Sequence, residues 1–400
     1  MDHRPASLND FAPAEPVTPV TRRPLDFLAR RLRFPASQAP TERLMDPRAL
    51  EFLKRLLDTP GPSSFEVQTA RVWRHEAESF AESVTADVSG NSFATLNAKA
   101  TPRIMLAGHV DEIGVMVTYI DDDGFLSFET IGGWDHQVFV GQRVVLLGPG
   151  GAVEGVIGKR AIHLMEKEAR ERVSKAEDLW IDIGATTRKE AEARLRVGDA
   201  GVLAARLLEL PNGRVVSRSL DNRVGAFVVL ETLRRLAGAN PPSARVTAAA
   251  TTREEIGSSG GGARTGAVGL EPDVAIVVDV THATDYPGVE KRKHGDYRLG
   301  GGPVLSRGSA INPVVFDLLA GAAQAEGIPY LVEAAPRDTS TDADNIFTAL
   351  RGVPTGLVSV PLRYMHSPNE MVALEDLDRA VALVAAFARR ISAKTDFVPR

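Results

Sequence analysis

The chain has 400 residues, 44% hydrophobic and 25% charged, with a formal net charge of −5 and a pI near 6.0. That is an ordinary globular composition, long enough for roughly two or three domains, and it lacks the basic excess that would draw it to nucleic acid or an anionic membrane. There is no cysteine, so disulfides, thiolate metal sites and cysteine nucleophiles are excluded, and any metal must be held by His, Asp or Glu.

In chain order, residues 1–45 stand apart: seven of the 25 prolines fall in the first 40 residues, among Ala, Ser and Thr. Such a stretch buries too little apolar surface to offset its ordering entropy and reads as a mobile N-terminal extension, with LDFLARRLRF (25–34) as the one segment able to form an amphipathic helix. No run approaches the roughly 18 apolar residues of a membrane span, and the extension lacks the continuous apolar core of a secretory signal, so a cytoplasmic location is expected. A first helix is predicted over 47–57, with Asp46 as N-cap and Pro47 in the first turn. DTPGPSSFE (58–66) is a turn cluster, and a second helix is predicted over 67–84. RIMLA (103–107) reads as a buried strand leading to Gly108 and His109.

From residue 115 to about 204 the texture changes to short alternating runs with frequent glycine. DDDG (121–124) marks a hairpin, and one helix is predicted over 188–195. This segment reads as a mostly-β inserted domain, splitting an α/β domain made of 46–114 and 205–395. After it come a helix over 221–236, strands over 244–252 and 273–281, a helix over 312–327 closed by glycine, strands over 328–334 and 354–364, and a closing helix over 373–394. Strands alternating with helices predict an α/β fold with a mainly parallel sheet covered on both faces.

Five signals lie at or just beyond the ends of these strands, where open α/β sheets place their active sites. AGHVDEIG (107–114) puts Asp111 two residues after His109, the spacing of a metal-bound imidazole oriented by a carboxylate, though taken alone it more often marks a surface turn. RSLDNRVG (218–225) opens a helix, where the commonest job of Asp221 is that of an N-cap. TTREEIGSSGG (251–261) sets Glu254 beside Glu255, and adjacent carboxylates repel, so the pair marks either an exposed acidic loop or the neighbourhood of a cation. In the second case one can bind metal while the other acts as a base. VVDVTHA (277–283) buries Asp279 in an apolar strand, which demands a partner, either a metal or a neighbouring donor. VPLRYMHSPNEMV (360–372) carries His366 after a strand, otherwise an ordinary turn histidine. Together they supply two histidines and three carboxylates as ligands and one further glutamate as base, a set that fits two divalent metals.

These strings resemble the glutamyl-aminopeptidase family that includes the tetrahedral (TET) aminopeptidases. The resemblance rests on AGHVDEIGVMV, LDNRVG, REEIGSSGG, VDVTHATDYPG and GVPTGLVSVPLRYMHSPNEMV, supported by LLDTPGPSSFE (56–66) and DLWIDIGA (178–185), and runs from about 47 to 393. It implies a zinc-peptidase-like fold, with His109 and Asp279 on one metal, Glu255 and His366 on the second, Asp221 bridging, Asp111 orienting His109, and Glu254 as the catalytic base. It implies two divalent ions per subunit (Zn2+, with Co2+ or Mn2+ as alternatives) and peptide substrates. It also implies a cis bond at Asp221–Asn222, and dimerisation through residues 115–204 toward a twelve-subunit particle. Arg253 beside the base and the long extension depart from the family pattern. Related metal-dependent deacylases or carboxypeptidases, a glycoside hydrolase and an inactive scaffold are the competing readings. A glycosidase has no use for His109 and His366, and a scaffold has no use for six intact positions.

Overall fold

The computed structural model describes residues 45–238, 241–257 and 261–400. The expectations for residues 1–44, including the helix over 25–34, lie outside the described residues. The chain enters with α1 (Pro47–Asp58), capped by Asp46, whose side chain accepts from Arg48 N at 2.8 Å. Helix α2 (Val67–Ala77) is shorter than the expected 67–84, because the β-branched Val84 and Thr85 turn instead into β1 (Ser83–Ala86), which pairs with β2 (Ser92–Leu96). Strand β3 (Arg103–His109) follows.

The next strands are β4 (Gly114–Ile120), β5 (Leu126–Ile131), β6 (Arg143–Gly148), β7 (Gly151–Gly158), β8 (Trp180–Asp182) and β9 (Ala200–Leu203), which close into a barrel in the order β4-β5-β8-β7-β6-β9. Gly124, at φ 88°, supplies the left-handed residue that the β4–β5 hairpin requires. Val117, Phe128, Phe139, Leu146 and Ile181 fill the interior. Two short helices, α3 (Lys167–Arg170) and α4 (Arg188–Glu192), lie in the loops between these strands.

The remaining elements are β10 (Leu208–Leu210), β11 (Arg214–Ser217), α5 (Leu220–Leu236), β12 (Arg245–Thr251), α6 (Gly261–Leu270), β13 (Val274–His282), α7 (Lys291–His294), β14 (Val304–Gly308), α8 (Pro313–Glu326), β15 (Leu331–Ala335), α9 (Asp342–Phe347), β16 (Thr355–Leu362), β17 (Glu370–Ala373) and α10 (Leu374–Arg390). Eight strands form the large sheet in the order β1-β2-β12-β3-β13-β16-β14-β15. Its four central strands, β12, β3, β13 and β16, run parallel, while β2 joins β12 and β14 joins β16 in antiparallel fashion. The α/β expectation therefore holds with a mixed sheet. The central strands are buried almost throughout, as strands covered on both faces must be. Helix α5 packs on β3, β12 and β13 with α10 and α1 behind it, while α6 and α9 pack together over the same central strands. A small antiparallel sheet, β10-β11-β17, ties the start of α5 to the last strand. No helix of the described residues is long and apolar enough to cross a membrane.

The start of α5 lies against the sheet backbone. A Cβ on Gly108 would stand 2.4 Å from Gly225 C, and one on Gly225 would stand 2.3 Å from Val278 O. Both obstacles are main chain and cannot rotate away. Gly108→Ala is expected to destabilise the fold by about 1–3 kcal/mol through overpacking, read as a lower midpoint in urea. An unchanged midpoint would mean that α5 can retreat from the sheet at no cost.

Candidate active site

The sheet order brings the sites suggested by sequence to neighbouring strand ends. His109 closes β3 and pairs in register with Thr251, the last residue of β12. Two residues after Thr251 the chain passes through Arg253 at φ 60° and delivers Glu254 and Glu255. Asp279 lies within the adjacent β13, and His366 follows β16, held at φ 58° in a loop closed by the reciprocal Arg363–Met371 backbone bonds of 3.0 Å.

Asp221 comes from α5, whose first turn is irregular: Asp221 (ψ 110°) and Asn222 (ψ 37°) are not helical, and the peptide bond between them is cis. The capping role falls to Asn222, whose Oδ1 accepts from Gly225 N at 3.0 Å while its Nδ2 donates to Val278 O at 2.8 Å. Asp221 is thus relieved of capping and its carboxylate faces both imidazoles. His109 Nε2 is 3.3 Å from Oδ1, and His366 Nε2 is 3.5 Å from Oδ2. Glu255 Oε2 lies 3.2 Å from His366 Nε2, and Glu254 Oε2 lies 3.7 Å from His109 Nε2.

Asp111 is fully buried behind them. It lies 3.4 Å from His109 Nδ1, accepts from Ser63 Oγ at 2.6 Å, and accepts from the backbone N–H groups of Glu254 and Glu255, each at 3.2 Å. Asp111 therefore meets the imidazole through both its carboxylate and its backbone carbonyl, which lies 3.3 Å from His109 Nδ1, and its carboxylate holds the backbones of the two glutamates. Arg253 points elsewhere: its Nε donates to Ser64 Oγ at 3.0 Å and its backbone N–H to Glu66 Oε1 at 3.2 Å, which ties this loop to the 58–66 turn.

The pocket holds more acid than base, and its titration behaviour follows from that imbalance. Burial pushes Glu254 up to about 10, with Asp279 and Asp342 adding repulsion against the attraction of His109. Burial and the nearby Asp221 push Glu255 up to about 7. Asp279 also rises well above the ordinary carboxylate range, again chiefly through burial. His366 moves up to about 11, because its bonds to Asp221 and Glu255 outweigh the opposing effect of burial. The imidazoles are thus the only positive charge offset against these acids within the ligand set, and divalent cations would supply that charge far better.

The donor chemistry fits such cations. His109, Asp221 and Asp279 present ligand atoms all within 4.8 Å of one another, as do Asp221, Glu255 and His366. Glu255 Oε1 is buried with no hydrogen-bond partner, an acceptor left open on the side of the second group. Imidazole nitrogen and carboxylate oxygen are the ligands that zinc, cobalt and manganese share.

A model of the M42 glutamyl aminopeptidase family matches residues 90–383. The chain belongs to that family. It is 33% identical to the lysyl aminopeptidase of Pyrococcus furiosus over 355 residues, covering 87% of this chain and 99% of the relative. A TET aminopeptidase from the marine sediment archaeon Thaumarchaeota archaeon SCGC AB-539-E09 superposes with a TM-score of 0.82 at 33% identity, covering 87% of this chain and 97% of that one. The TET1 peptidase of Pyrococcus horikoshii, described as assembling into a tetrahedron or a large octahedral shell, superposes with a TM-score of 0.75 at 28% identity, over 86% of this chain and 100% of that one. This M42 chain is accordingly a hydrolase acting on peptides, in a metallopeptidase family.

The M42 site opens into a cavity of about 780 Å3 lined by His109, Asp221, Glu254, Glu255, Asp279 and His366, with β14, β15 and residues 336–345 as the facing wall. A larger open groove of about 1010 Å3 runs along residues 392–399 and contains none of these side chains. Two buried acids at the site escaped the sequence reading. Asp342 accepts from Thr251 Oγ1, and its Oδ1 has no partner. Glu370 accepts from Asp221 N at 3.0 Å and His366 N at 2.9 Å. Asp342 opens a short helix in an ordinary polar stretch, so nothing in its neighbours announces it. Glu370 stood inside the HSPNEM string that carried the resemblance and was readable only as part of it.

Proposed function

We propose that this chain is a two-cation aminopeptidase with a zinc-peptidase-like fold. In this reading His109 and Asp279 hold one divalent ion, Glu255 and His366 hold the other, and Asp221 is shared. The observation that carries it is the sharing of Asp221 by two separate donor groups, with Glu254 adjacent to Glu255 in sequence yet outside both. Zinc is the first choice of ion, with cobalt or manganese as alternatives. The ions, when bound, supply Lewis-acid polarisation of the scissile carbonyl and acidify the attacking water. Glu254 accepts the proton from that water and returns it to the leaving amine. Asp111, through the Glu254 backbone N–H, keeps the base aimed at the cleft. The free N-terminus of a peptide is the substrate group that the aminopeptidase relatives suggest.

Removal of the ions is the test. Stripping with EDTA is expected to abolish cleavage of unblocked aminoacyl chromogenic substrates, and zinc, cobalt or manganese to restore it. N-acetylated substrates and aryl glycosides should stay uncut throughout. Cleavage that survives chelation would sink the two-cation reading, and a preference for acetylated substrates would turn it toward a deacylase.

Residues 115–204, which hold all of the barrel but its first residue, are proposed as the dimerisation domain, and 46–114 with 205–395 as the catalytic domain. Ile162 and Leu164 are 59% and 74% exposed on the segment between β7 and β8, apolar surface that an assembly would cover. The relative described as forming a tetrahedron or a large octahedral shell is the ground for expecting an assembly, and dimers building a twelve-subunit particle are its proposed form here.

A further inference from the structure

Glu370 is 2% exposed, and no lysine or arginine of the described residues forms an ion pair with it. Both of its oxygens are spent on backbone N–H groups: Oε2 on Asp221, 149 residues away in sequence, and Oε1 on His366, four residues away. It opens β17, where it pairs in register with Ser217 of β11, four residues before Asp221. It therefore stands where the small sheet brings the irregular start of α5 against the 364–369 loop. A buried carboxylate without a cationic partner is an expensive way to hold two loops together. Its geometry suits a different purpose. The two N–H groups belong to Asp221, whose two oxygens face different imidazoles, and to one of those imidazole residues.

We propose that Glu370 is a positioning residue that sets the affinity of the second cation by clamping the backbones of Asp221 and His366 in fixed relation. It is not itself a ligand, since it belongs to neither donor group. It parallels Asp111, which holds the backbones of Glu254 and Glu255 in the same way. The Asp221, Glu255, His366 group depends on Glu370 for two of its three backbone positions. The His109, Asp221, Asp279 group depends on it for one, with His109 and Asp279 already set within adjoining strands. Loss of the clamp should thus act unequally on the two cations.

This inference rests on the two-cation reading. The test compares wild type with Glu370→Gln, both stripped by chelation and titrated with Co2+ alone. Binding is followed by equilibrium dialysis and by the visible Co2+ absorption, and the folded state by thermal melting of the stripped proteins. Glutamine keeps one acceptor but turns a second N–H toward an N–H, so one arm of the clamp opens. Wild type should take up two ions. E370Q should bind the first nearly as wild type does, bind the second about 10–100-fold more weakly, and show an altered absorption band for it. If E370Q binds both ions with wild-type affinity and spectrum, whether or not its melting point falls, the inference is overturned. If E370Q does not fold, Glu370→Asp carries the same titration, because it keeps both acceptors on a shorter arm; wild-type uptake there overturns the inference equally. A wild-type protein that takes up fewer than two ions overturns the underlying reading instead, and that result is visible before any variant is compared.

Discussion

Glu254→Gln is expected to retain both cations and to lose about 10²–10⁴-fold in turnover, the range typical of a removed general base. Glutamine fills the same space and keeps the backbone N–H that Asp111 holds, so the loop should not move. Glu254 belongs to neither donor group, so metal content should match the wild type. What disappears is the capacity to accept a proton. Burial pushes Glu254 up to about 10 without cations, where it would already be protonated at neutral pH; the charge of bound cations is what would free its carboxylate to accept a proton. The check is kcat on an unblocked aminoacyl substrate alongside metal analysis of the same sample. Full turnover would move the base to another residue, while lost metal would make Glu254 a ligand.

Arg223→Met should be the most damaging change to stability. This guanidinium is wholly buried two residues beyond Asp221, and although burial lowers it to about 10 it stays charged at neutral pH. Its NH2 group pairs with Glu112 Oε1 at 2.7 Å, its NH1 group donates to Leu56 O and Thr59 O at the end of α1, and its Nε donates to Val110 O. Arg218 holds the other oxygen of Glu112. Methionine matches much of the volume but leaves Glu112 under-compensated and strands carbonyls that α1 cannot satisfy itself. The expected cost is about 3–5 kcal/mol, as for other broken buried pairs. Urea unfolding of chelated protein measures it without interference from cation binding. A cost within 1 kcal/mol would mean that water enters and replaces the guanidinium.

The parts of this site that sequence revealed are those whose local chemistry conflicts with its setting. Asp279 stands out because a carboxylate in an apolar strand needs a reason, and Glu254–Glu255 because adjacent acids repel. Asp221 was ambiguous, since an aspartate opening a helix caps it far more often than not; only the irregular first turn shows that Asn222 caps in its place. Glu370 was hidden because its meaning lies in two backbone bonds across unrelated segments, which no spacing encodes. Similar reasons account for the fold. The central strands were legible as continuous apolar runs. Helix α6 was not, since GGARTGAVGL has four glycines and its helicity comes from packing against β12 and α9 rather than from propensity. The short β2 and β14 were likewise too brief for periodicity to separate from loop.

The order in which the sheet is threaded has a consequence for synthesis. Strand β16 is among the last elements made, yet it sits between β13 and β14 at the heart of the sheet, and His366 follows it. A chain cut short before residue 355 lacks both an interior strand and the final imidazole, although every earlier ligand is present. Under the proposed two-cation reading, such a partial chain would lack the ligand that completes the second donor group, so activity would have to wait for the last strand of the large sheet and the loop that follows it.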